Sequence, residues 1–71
     1  MNAVAFTPTI LTAAELIRRA EAHEAEAAEY RREAAHPAVS AADIADLKEA
    51  AAELDGAAIH LRRMAARGHR A

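Results

Sequence analysis

The sequence predicts an all-α fold, an antiparallel two-helix hairpin closed by an alanine-rich coiled-coil seam. Three observations lead there. Two helix-start signals recur 28 residues apart, at Leu11-Thr12-Ala13-Ala14-Glu15-Leu16 and Val39-Ser40-Ala41-Ala42-Asp43-Ile44. His36-Pro37 breaks the chain between them. Apolar residues follow each signal at alternating steps of three and four, the spacing of one helix face.

Each start signal has the same chemistry. The hydroxyl of Thr12 or Ser40 can accept from the backbone N–H of the third helical residue. The acid at that position, Glu15 or Asp43, can reach back to the cap, less well for the shorter aspartate. Leu11 with Leu16, and Val39 with Ile44, are placed to pack across the first turn as a staple. The first helix is expected over about 13–35 and stops before Pro37. The turn takes 36–40. The second helix is expected over about 41–67, with Gly68 as a left-handed stop. Gly56 lies inside it and weakens it by about 1 kcal/mol relative to alanine.

The seam of the first helix reads Leu16, Ala20, His23, Ala27, Tyr30, Ala34. That of the second reads Ile44, Leu47, Ala51, Leu54, Ala58, Leu61, Ala65. A turn of about five residues folds the helices back antiparallel. Centring the register on Pro37 sets Ala13 opposite Leu61, Leu16 opposite Ala58, Ala20 opposite Leu54 and Ala27 opposite Leu47. Large then meets small at most levels. The same register brings Arg31 and Arg32 towards Asp43 and Asp46. His23 is expected half-buried, bonded to Glu26 or water.

Composition limits what this hairpin can do alone. The 71 residues include 23 alanines and only 15 larger apolar or aromatic residues. A chain of this length buries roughly 60% of its unfolded surface, so it is marginal as a monomer. Alanine holds a helix well but supplies little core. Self-association follows as an expectation: a homodimer in which two hairpins make a four-helix bundle. Ile17 and Ile59 lie clockwise of their seams and form a candidate second apolar edge. Residues 1–11 make an N-terminal tail, apolar at Val4, Ala5, Phe6, Ile10 and Leu11, while 12–71 make the hairpin. Phe6, Ile10, Ile17, Ile59 and Met64 are therefore the candidate partner-binding residues.

Several classes find no support. There is no cysteine for a disulfide or thiolate site. No apolar run reaches the ~20 residues of a membrane span, and the first residues lack the pattern of a signal peptide. A cytoplasmic protein is expected. Of the four histidines only His36 has a Glu three residues before it, Glu33, and His36 falls in the turn, so the bundle di-metal pattern is not completed. No phosphate loop or nucleophile grouping appears, and Ser40, the one serine, is explained as a cap. The expectation is a non-enzymatic module with no cofactor and no metal. It would be an adaptor, assembly factor or inhibitor of a larger complex, of the kind small phage or mobile-element proteins supply, bound to a protein whose identity the sequence does not give.

One alternative rests on charge. Residues 41–55 hold five acids and one lysine, while Arg62, Arg63, Arg67 and Arg70 follow with no acid after Asp55. Those arginines could contact nucleic acid. The arrangement equally complements the macrodipole of the second helix, acidic at its start and basic at its end. It includes no aromatic residue to stack a base, so a protein partner is the leading expectation.

Overall fold

A computed structural model describes residues 11–68. It consists of two helices, α1 (Ala13–Ala34) and α2 (Ala41–Gly68), packed against each other as a hairpin. The expected tail contacts of Phe6 and Ile10, and the position of Arg70, lie outside the described residues.

Both helices begin where the caps demand. Thr12 is extended (φ −73°, ψ 162°), and its hydroxyl accepts from the Glu15 N–H at 3.1 Å. Glu15 Oε1 accepts from the Thr12 N–H at 2.8 Å, completing a capping box. These bonds hold the Glu15 carboxyl below its ordinary value of 4.5, the Thr12 backbone N–H most and its hydroxyl next. At α2 the Ser40 hydroxyl accepts from the Asp43 N–H at 3.1 Å. Only this half of the second box is made among the described bonds.

The ends differ from expectation by one residue each. Helix α1 closes at Ala34, with Ala35 as its cap, donating to the carbonyls of Arg31 and Arg32 at 3.2 Å. The connection 35–40 turns through His36 N–H to the Glu33 carbonyl and Val39 N–H to the His36 carbonyl. His36 Nδ1 accepts from the Ala38 N–H at 3.1 Å. Gly68 is the last helical residue of α2 and does not have positive φ. Glycine permits the left-handed stop but does not impose it.

The core corrects the expected register. Helix α1 buries Leu16, Ala20, Ala27 and Ala34; α2 buries Ala51, Ala58 and Ala65. Ala20, Ala27 and Ala51 are 0% exposed, and among the described residues no large side chain is fully buried. Leu47, Leu54 and Leu61 are half-buried. The alanine of each heptad therefore forms the contact, and the leucines flank it.

The side-chain pairs across the helices show the slide. Arg31 bonds Asp55 at 2.6 Å, and Arg62 clasps Glu24 with two bonds at 2.9 and 3.0 Å. In the register centred on Pro37, Asp55 would lie roughly 18 Å along the axis from Arg31, beyond the joint reach of both side chains. Tyr30 instead shares a groove with Ala50, Glu26 with Leu54, and Glu33 with Leu47. The helices have thus slid by about one heptad, on the order of 10 Å. Arg31 and Arg32 do not meet Asp43 and Asp46. Arg32 pairs with Glu29 in its own helix, at 2.6 Å.

The physical reason is close approach. Alanine opposite leucine holds two helices apart by the leucine. After the slide, Ala20 falls between Ala58 and Ala65, and Ala27 between Ala51 and Ala58. Small rows then interleave, the arrangement that lets two helices approach closely.

Candidate docking face

The hairpin has two sides, and they differ in chemistry. A step of 100° per residue places Glu24, Arg31, Asp55 and Arg62 to one side of the alanine rows. This side carries both cross-helix ion pairs, Arg31–Asp55 and Arg62–Glu24. The Arg62 guanidinium holds the Glu24 carboxyl below its ordinary value, and Glu24 raises Arg62 in return. Both groups are solvated, so the pair adds little to stability.

The opposite side is apolar along α2. Leu47, Leu54 and Leu61 recur every seven residues along its edge. Ala50, Ala57 and Met64 recur at the same interval beside them. Leu54 and Ala50 line a groove of about 260 Å³ with Tyr30, Glu26 and Glu53. The Tyr30 hydroxyl reaches Glu26 Oε2 at 3.4 Å. That bond occupies the carboxylate expected to serve His23, which is half-buried with no bond to Glu26.

The residues singled out in the sequence divide between these sides. Met64, 36% exposed, falls on the leucine side. Ile59, 51% exposed, and the half-buried Ile17 both fall on the ion-pair side. There Ile59 follows Asp55 by four residues and precedes Arg62 by three. The Ile17/Ile59 edge is thus interrupted by charge. Arg62, Arg63 and Arg67, offered to nucleic acid, are all exposed, and Arg62 is engaged by Glu24.

The leucine face was only half legible in the sequence. Leu47, Leu54 and Leu61 are the large residues of the expected seam, and the slide moves them to its margin. A second alternation of three and four, Leu47-Ala50-Leu54-Ala57-Leu61-Met64, was there to be found. It shares its leucines with the first, which hid it.

Among the described residues no three of His, Asp and Glu are placed to hold a metal ion together, and neither helix is long and apolar enough to cross a membrane. Comparison with protein families, with characterised proteins and with solved structures found no match.

Proposed function

We propose that this chain is a small non-enzymatic binding module, an adaptor, assembly factor or inhibitor, which works by covering its α2 leucine face with another polypeptide. One observation carries the reading. Among the described residues every one more than nine-tenths buried is an alanine except Leu16, while three leucines and Met64 stand half-buried or exposed in one row. A contiguous row of incompletely buried apolar side chains on one face marks a surface suited to covering by another polypeptide. The bidentate engagement of Arg62 weighs against nucleic acid as the partner.

The test is recovery of bound protein from the native host with the wild-type chain and with Ala57→Glu. Ala57 is exposed in the hairpin and central to the leucine row. Loss of specific polypeptides with Ala57→Glu is the expected result. Identical recovery would refute the reading. Sub-micromolar binding of DNA or RNA at about 0.15 M salt, lost in Arg63→Ala/Arg67→Ala, would replace it with the nucleic-acid alternative.

A further inference from the structure

We infer that the polypeptide covering the leucine face is a second copy of this chain, with the two α2 helices packed antiparallel across a two-fold axis. This rests on the leucine face being a protein-binding face, and it specifies the occupant and its orientation.

The argument starts from the row of apolar residues. Leu47, Ala50, Leu54, Ala57, Leu61 and Met64 alternate by three and four over about 26 Å of helix, which is a second coiled-coil seam on α2. It is not the seam used against α1, since Ala51, Ala58 and Ala65 do that. The row reads almost alike in both directions. Set antiparallel on its own copy, Leu47 meets Met64, Ala50 meets Leu61, and Leu54 meets Ala57. Large meets small at the four inner levels of six, so the two helices interlock with themselves.

The charges flanking the row obey the same symmetry. The residues beside it, on the edge away from α1, are Asp46, Glu53, His60 and Arg67. In the antiparallel arrangement Asp46 lies across from Arg67 of the second copy, and Glu53 across from His60. One position further out, Glu49 lies across from Arg63. Each pair occurs twice, by symmetry. The acidic start and basic end of α2, which suit its own macrodipole, also make it complementary to its reversed copy.

A face-to-face pair has another option, with the two-fold axis running along the helices. That places turn end on turn end, setting Asp43, Asp46, Glu49 and Glu53 near the same residues of the copy. It also lays the leucine row of α2 on α1. On α1 the positions equivalent to Ala50, Ala57 and Met64 are Arg19, Glu26 and Glu33, a charged edge beside Leu16, His23 and Tyr30, which makes α1 a poorer apolar partner than α2 itself. Charge and apolar pattern select the same orientation.

Sedimentation of the full 71-residue chain at low and high salt tests this. The wild type is expected at twice its 7.6 kDa mass at high micromolar concentration. Ala57→Glu is expected to stay helical by circular dichroism and to weaken the dimer at least tenfold. Asp46→Arg is expected to weaken it several-fold at low salt by setting like charges together, and Asp46→Arg/Arg67→Asp to restore it. A wild type that sediments as 7.6 kDa overturns the second copy as occupant. The binding face itself still stands if Ala57→Glu abolishes recovery of a host protein. A dimer untouched by Ala57→Glu overturns the second copy as occupant of this face. A dimer that Ala57→Glu breaks, but in which Arg67→Asp fails to rescue Asp46→Arg, overturns the antiparallel arrangement.

Discussion

At the scale of single residues, the buried alanines matter more than the leucines. Ala58 is 1% exposed at the centre of the α2 row, between the turns that Ala20 and Ala27 fill. Ala58→Leu adds three carbons within the buried alanine rows. It is expected to destabilise the hairpin by about 1–3 kcal/mol, although it adds apolar volume. A thermal melt followed by circular dichroism checks this, and an unchanged midpoint would refute the close alanine packing. Two carboxylates make stability depend on pH. Glu15 and Glu24 are held below 4.5 in the fold, by the Thr12 cap and by Arg62 respectively. A depressed carboxylate stabilises fully above its unfolded value, and that contribution is lost as pH falls through the folded value. The melting temperature is therefore expected to fall as pH drops below about 4.5. Glu15→Gln/Glu24→Gln should flatten that decline, and a decline as steep as wild type would contradict these two bonds as its source.

At the scale of the elements, register is the quantity at stake. Caps and the Pro37 break set where each helix starts and stops to within a residue, because those signals act over one turn. They do not set how far the helices slide. That depends on which rows interleave, and the rows of both helices repeat every seven residues. Registers one heptad apart therefore look alike in sequence. Ala20 opposite Leu54 and Ala20 between Ala58 and Ala65 both place apolar on apolar. A double-mutant cycle separates the two. Arg31→Ala and Asp55→Ala should couple by about 0.2–1 kcal/mol, as exposed ion pairs do. Arg31→Ala and Asp43→Ala should be additive. Coupling only in the second cycle would restore the register centred on Pro37.

At the scale of the whole molecule, the hairpin leaves Leu47, Leu54 and Leu61 half-covered. Leu54 stands at the middle of that row. Buried only in part within one hairpin, it contributes less alone than a full core leucine, whose loss costs about 2–5 kcal/mol. Across a second copy it would meet Ala57. Leu54→Ala should therefore cost little at low micromolar protein, and its effect on melting temperature should grow with concentration, because association stabilises only the folded chain. Melts from about 1 to 500 µM check this. A concentration-independent effect would mean that Leu54 acts within the hairpin alone.

The sequence by itself determined the helices, their caps, the break between them and their antiparallel packing along alanine-containing seams. These follow from interactions within one or two turns and from a period that any helix repeats. Two things were decided only by the tertiary structure. One is the slide that places alanine rows in the core and moves Leu47, Leu54 and Leu61 to the margin. The other is the division of the surface into an ion-paired side, which takes Ile17, Ile59 and Arg62, and an open leucine side. Both depend on close backbone approach, a property of two helices together that neither pattern contains alone.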